Sequence, residues 1–277
     1  GWAEENGEWV YYNNDGSKAT DVFKKSGNNW FYLDSDGNMA KNQLIEDDDN
    51  YFYVNSAGAM VTNQWRSIEN EDAGSDEPDE WWYYFQSNGK AVKKSGSSDN
   101  VKFATLPTST GQAKFTFDDE GRMLYGWIDE SGEMLTDEDA WKSGMYYCGD
   151  NGDGRMATGW KYITAVNDED DDREGDGYWF YFSTNGKKTA DNDSKKINGQ
   201  YYGFDVNGKL LQGLYRIEFE ANGKTIRSAE EIEDVDELPD EDEDGVFVYY
   251  FGDSPKEGAM KTGTMTMEID GDKYYYS

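Results

Sequence analysis

The sequence predicts an all-β chain, an elongated solenoid of stacked β-hairpin repeats, and three observations predict it. Turn glycines recur at regular spacing, each behind a cluster of aromatic residues. No stretch carries the apolar period of a convincing amphipathic helix. Hydrophobic residues make up only 36% of the chain, yet 16% of it is aromatic, with 10 Trp and 21 Tyr. A core of Leu, Ile and Val cannot be built from this composition, so aromatic faces must supply most of the buried area.

The elements follow in order. Gly16, Gly37 and Gly58 lie 21 residues apart and close the stretches "WVYYNNDG", "WFYLDSDG" and "YFYVNSAG". Gly89, Gly121, Gly154 and Gly186 follow at spacings of 31, 32, 33 and 32 residues, and Gly208 comes 22 residues later. The last clear copy is Gly258, in "VYYFGDSPKEGAMKTG". Two residues beyond the glycine stands Met39, Met60, Met123, Met156, Leu210 or Met260. Six or seven beyond it stands Phe23, Leu44, Trp65, Trp127, Trp160 or Leu214. Each unit therefore reads as an aromatic strand, a tight turn, a short Met-bearing strand, and then Gly-Trp or a stand-in. Aromatic and β-branched runs suit strands, and "NNDG", "DSDG" and "STNG" supply residues that adopt the positive φ hairpin turns require. Ser228 to Leu238, the one helix candidate, is short and acidic and reads as loop. A lone hairpin is barely stable in water, so the hairpins are expected to share a core with their neighbours.

A longer period lies over the first. "EWWYYFQSNGKAVKKSG" returns as "GYWFYFSTNGKKTADND", and "YYCGDNGDGRMATG" returns as "YYFGDSPKEGAMKTG". The expected organisation is one continuous array over residues 1–277, of about nine to ten hairpin repeats, with three-hairpin blocks from about 50, 141 and 246. Both ends fall inside a unit, which suggests a piece of a longer polypeptide.

The net charge of −32, with no histidine, argues against nucleic acid, because phosphate binding needs clustered Lys and Arg. Anionic membranes are disfavoured for the same reason, and no apolar run is long enough for membrane insertion. Much of the charge sits in three insertions, 67–80, 165–177 and 229–245, read as solvated loops between hairpins. Calcium is the competing reading there: Asp240, Asp242, Asp244 and Gly245 match the first half of an EF-hand loop, but Phe251 stands where the bidentate glutamate belongs. Cys148 is the only cysteine, so there is neither a disulfide framework nor a cysteine zinc site, and without histidine nothing activates it as a nucleophile. No phosphate loop, nucleophile elbow or metal motif is present, and no cofactor is implied. Near-identical repeats offer many copies of one shallow groove rather than a catalytic centre, so the chain reads as no enzyme.

"GWAEENGEWVYYNNDGSKATD", "GNNWFYLDSDGNMAKNQL" and "GRMATGW" resemble the cell-wall-binding repeats of Gram-positive surface proteins. That family includes choline-binding, glucan-binding and clostridial-toxin repeats. The resemblance covers nearly the whole chain and implies a secreted, surface-located binding role. The implied partners are choline of cell-wall teichoic or lipoteichoic acid, or an envelope polysaccharide. The alternative is a host-facing adhesin or structural spacer whose acidic loops meet a host protein and whose ligand sites are vestigial.

In choline-binding members of the family the ligand sits between successive hairpins in a cage of aromatics. By position the resemblance assigns Trp2 and Trp9 to such a cage, closed by Trp30 or Tyr32. Trp65 with Trp82, and Trp160 with Trp179 and Tyr201, match across intervening insertions, and Trp127 matches in isolation. Phe23, Leu44 and Leu214 replace the first Trp and are expected to abolish the cage at their positions. Each ring is also a candidate for the core, and the Met residues after the turns read as packing between hairpins first.

Overall fold

A chain with this many turn residues and so few aliphatics can bury surface only by pairing short strands and leaning each pair on the next. A computed structural model describes residues 1–96, 99–164, 177–221, 226–232, 246–251, 265–269 and 272–276. It forms two compact units, Gly1–Tyr125 with Gly149–Arg155, and Gly126–Cys148 with Met156–Ser277.

In the first unit five antiparallel hairpins follow one another: β1 (Trp2–Glu5) with β2 (Glu8–Tyr11), β3 (Val22–Ser26) with β4 (Asn29–Leu33), β5 (Gln43–Asp47) with β6 (Asn50–Val54), β7 (Gln64–Glu69) with β8 (Glu80–Phe85), and β9 (Ala104–Thr108) with β10 (Gly111–Phe115). In the second unit β11 (Trp127–Ile128) pairs with both β12 (Met134–Leu135) and β13 (Tyr146–Tyr147), with the single-turn helix α1 (Ala140–Ser143) between those partners. Then β14 (Gly159–Thr164) pairs with β15 (Gly177–Phe182), and β16 (Asn192–Ile197) with β17 (Gln200–Phe204). β18 (Gly213–Phe219) lies between β19 (Ile226–Glu231) and β20 (Val246–Phe251), and β21 (Met265–Ile269) pairs with β22 (Asp272–Tyr276). The fold is all-β and made of hairpins, as the sequence predicts.

The pairing within a unit departs from the sequence reading in one respect. The strand carrying Trp2, Phe23, Leu44 or Trp65 opens the hairpin, and the aromatic strand returns alongside it. The tight connection is Asn6-Gly7 in the first hairpin and Asp48-Asp49 in the third, with φ of +53 and +80, and of +50 and +60. Two successive positive φ values match the turn whose twist suits flanking strands. The turns at Gly16, Gly37 and Gly58 also form, but the segments beyond them make only isolated bridges: Tyr12 with Lys18, Leu33 with Met39, and Val54 with Met60 beside Phe31 with Ala59.

These second turns are nonetheless well determined. Asp34 Oδ1 accepts the N–H groups of Asp36 (3.0 Å) and Asn38 (2.9 Å), and Asn55, Asp118 and Asp205 repeat the pattern. The chain then turns back far enough for the post-turn residue to reach the previous hairpin. Met39 N–H donates to Trp9 O, Met60 to Trp30 O, Ala91 to Tyr51 O and Met123 to Trp82 O, at 2.7–2.8 Å. In the second unit Lys188 N–H donates to Met145 O and Leu210 N–H to Trp179 O. At each of these six junctions one backbone hydrogen bond thus fastens a hairpin to its predecessor. The cores lie at these junctions, as small aromatic clusters such as Tyr32, Phe52 and Val54, or Phe115, Phe117 and Met123.

Most of the second and third acidic insertions (165–176 and 233–245), including the calcium-like Asp240, Asp242, Asp244 and Gly245, lies outside the described residues, as does the turn of Gly258 and Met260. Residues 228–231 of the helix candidate, which the sequence reads as loop, form the end of β19.

Candidate ligand grooves between hairpins

Antiparallel register decides which rings share a groove. Trp2 faces Tyr11 across the first hairpin, and Glu4 faces Trp9, so Trp2 and Trp9 stand diagonally on one face. The same diagonal relates Phe23 to Trp30, Trp65 to Trp82, and Trp160 to Trp179. On each hairpin the first ring also meets a ring of the next one. Trp2 lies 5.6 Å from Phe31, Phe23 5.0 Å from Phe52, Trp65 4.7 Å from Phe115, and Trp160 4.9 Å from Tyr202.

Three of these junctions open into cavities. Trp2, Trp9, Phe31 and Met39 line a groove of about 300 Å³. Trp65, Trp82, Phe115 and Met123 line one of about 390 Å³, bordered by Thr108, Asp153 and Arg155. Phe23, Trp30, Phe52 and Met60 line one of about 490 Å³. Two rings from one hairpin, one ring from the next and one methionine recur in every case. Trp9 and Trp30 are 42% and 41% exposed, and the Lys25 ammonium lies 5.9 Å from the Trp30 ring centroid. Trp65 is held from behind, its indole Nε1 donating to Pro107 O at 2.8 Å.

Several residues sit elsewhere than expected. Neither Trp30 nor Tyr32 closes the Trp2–Trp9 groove; Phe31 does. Trp30 and Tyr32 share the opposite face of β4, where Trp30 lines the next groove and Tyr32 is buried against Phe23 at 4.9 Å. Phe23 does not abolish its groove but forms one of its walls. Tyr201 is 42% exposed, while its neighbour Tyr202 packs on Trp160. At Leu44 the junction is filled, since Leu44 and Tyr51 pack onto the buried Tyr83 and Ala91. Trp127 is buried in a cluster with Trp141 and Phe180. The side chain of Leu214 lies outside the described residues.

Electrostatically the grooves sit in a chain of strong negative charge. Tyr83, against the turn at Gly121, keeps its phenol proton to higher pH than usual because burial disfavours the phenolate. Burial pushes the Cys148 thiol up to about 12, consistent with a strand-packing residue and not a nucleophile. Among the described residues no group of three His, Cys, Asp or Glu converges to hold a metal, and no helix is long and apolar enough to cross a membrane.

Residues 1–36 and 23–65 match the family profile described as "Choline-binding repeat", and residues 82–91 match "Putative cell wall binding repeat". No curated protein sequence matches the chain. Among solved structures, the choline-binding domain of CbpL from Streptococcus pneumoniae is 21% identical over 77% of this chain and 87% of that one, with a TM-score of 0.47. The modular autolysin LytC of S. pneumoniae, in complex with a synthetic peptidoglycan ligand, is 20% identical with a TM-score of 0.48. That alignment covers 99% of this chain, which spans half of LytC. The choline-binding domain of Spr1274, also from S. pneumoniae, is 33% identical over 33% of this chain and 93% of its own length, with a TM-score of 0.25.

Proposed function

The chain belongs to the family of choline-binding, cell-wall-binding repeats, and from that premise we propose that it is a non-catalytic module that binds a bacterial envelope from outside the cell. The observation carrying this reading is the recurrence of one quartet at three junctions: Trp2, Trp9, Phe31 and Met39; Phe23, Trp30, Phe52 and Met60; Trp65, Trp82, Phe115 and Met123. A quaternary ammonium group has no N–H to donate, so hydrogen bonding cannot recognise it. Aromatic faces can, each contributing roughly 0.5–2 kcal/mol according to how far the site excludes water. A thioether beside three rings adds a polarisable, apolar wall.

The ligand on this reading is choline carried on teichoic or lipoteichoic acid, with each groove weak and the array acting through several at once. The aromatic walls would also stack on sugar rings, so an envelope polysaccharide is the competing ligand. The test is a titration with choline and, separately, with a soluble glucan, following Trp emission. A choline response lost in the Trp9→Ala, Trp30→Ala, Trp82→Ala triple variant supports the reading. A glucan response alone reassigns the grooves to carbohydrate, and silence with both removes them as ligand sites.

A further inference from the structure

A further junction, at Trp127, is closed: its ring is buried with Trp141 and Phe180, and a lysine side chain lies against that cluster. Lys188 stands two residues after the turn glycine Gly186, where Met39, Met60 and Met123 stand after theirs. It bridges Phe182 as those methionines bridge the preceding aromatic strand, and its N–H makes the same inter-hairpin bond, to Met145 O at 2.8 Å. Its side chain runs inward. The ammonium nitrogen lies 5.3 Å from the Trp127 ring centroid and 5.9 Å from that of Phe180. It donates to Trp141 O at 2.8 Å and to Lys142 O at 3.1 Å. Both carbonyls belong to the one-turn helix α1, between β12 and β13.

We infer that the Trp127 junction is a primary-ammonium site occupied by the chain's own Lys188, which clamps the Trp127 hairpin and α1 to the hairpin that follows. The occupied site stands on its own contacts, and the choline reading of the open grooves enters only as a comparison. Two aromatic faces within about 6 Å attract a cation. Two carbonyls 2.8 and 3.1 Å away select one that carries N–H donors. A quaternary ammonium satisfies the first requirement but offers the Trp141 carbonyl no N–H in place of the 2.8 Å bond, which is costly for a part-buried acceptor. The site therefore discriminates against choline on two grounds, its occupancy and its hydrogen-bonding pattern. The stem is placed as firmly as the head: a Cβ at Gly208, the next turn, would lie 2.7 Å from Lys188 Cδ, so the glycine leaves room for the lysine. Burial lowers the ammonium to about 8, with Asp205 opposing the shift, and it stays mostly protonated at neutral pH.

Removing the ammonium and returning one from solution tests this. In Lys188→Ala the unfolding midpoint should fall by several degrees and recover on adding ethylammonium, whereas tetramethylammonium at the same concentration should restore little. Trp127→Ala in the same background should abolish the recovery. Lys188→Met supplies a second variant with an apolar side chain of similar length. It should fold and show no ethylammonium response, while in the wild type the Lys188 side-chain protons should be shifted by the Trp127 and Phe180 ring currents. The proposal is overturned if those protons resonate at ordinary positions in the wild type. It is equally overturned if Lys188→Ala unfolds like the wild type, or if ethylammonium and tetramethylammonium stabilise it equally. These readouts need no choline binding anywhere, so a choline-silent wild type whose Lys188→Ala variant recovers with ethylammonium would sink the proposed ligand and leave this site standing.

Discussion

A single position separates Phe31 from Trp30 and Tyr32, and it decides which of them meets Trp2. Strand side chains alternate between faces, so a one-residue displacement carries a ring to the other groove. Trp9→Ala should therefore weaken choline at the Trp2 groove by about 1 kcal/mol, roughly fivefold. It should leave the Phe23 groove unchanged, which calorimetry on each single-groove background would resolve. Trp30→Ala should do the reverse; a weakened Trp2 groove in that variant would mean that Trp30, and not Phe31, faces Trp2. Cys148 offers a contrasting test in which nothing should happen. It is fully buried, and its thiol is pushed up to about 12. A raised thiol pKa means the native state holds the proton, so no thiolate appears as pH rises from about 7 to about 9. A thiol reagent should label the native chain negligibly at both values. In the denatured chain labelling should accelerate over that interval, as an ordinary thiol near about 8.5 ionises.

The turns show how much of a hairpin is legible in the sequence. The glycine period, the aromatic strands and the post-turn methionines are all visible there, because each is a residue type fixed by local backbone or packing demands. The true hairpin connection is harder to see. Asn6-Gly7 is a strong turn signal, but Asp48-Asp49 lies inside an acidic run and looks like any solvated stretch. The self-occupied groove is invisible for a different reason. Lys188 looks like a surface lysine in "GKKTAD", and only the long-range placement of Trp127, Phe180 and α1 encloses it. The glycines themselves carry two distinct constraints that substitution can separate. Gly7 has φ +80 with nothing within 4 Å of an added Cβ, so Gly7→Ala meets backbone strain alone. Gly58 has φ +81, and a Cβ there would lie 2.9 Å from Met39 Cε and 3.1 Å from Ala40 O. Left-handed backbone costs a β-carbon about 1–2 kcal/mol. Gly58→Ala should exceed Gly7→Ala by about a further 1 kcal/mol in urea unfolding, because it also pushes two hairpins apart. Equal costs would mean the methionine is no part of the junction.

The chain's charge bears on every groove together. A net charge of −32 creates a negative potential that concentrates cations near the surface and repels anions. A caged choline should feel that potential, whereas a neutral glucan stacked on the same rings should not. The effect is screened by salt, the Debye length falling from about 10 Å at 0.1 M to about 3 Å at 1 M. Choline affinity should therefore fall severalfold between those ionic strengths, and glucan affinity should stay nearly constant. The aromatic term survives screening, since ring faces meet the cation at contact distance, so binding at the higher salt should be weakened and not lost. Free choline is the right probe for this comparison because it carries no phosphate; phosphocholine adds negative charge and should show a shallower slope. Titrations of all three ligands at both salt concentrations, read by Trp emission, separate the contributions. A choline affinity indifferent to salt would mean that the acidic residues lie too far from the grooves to matter, leaving the rings alone to account for recognition.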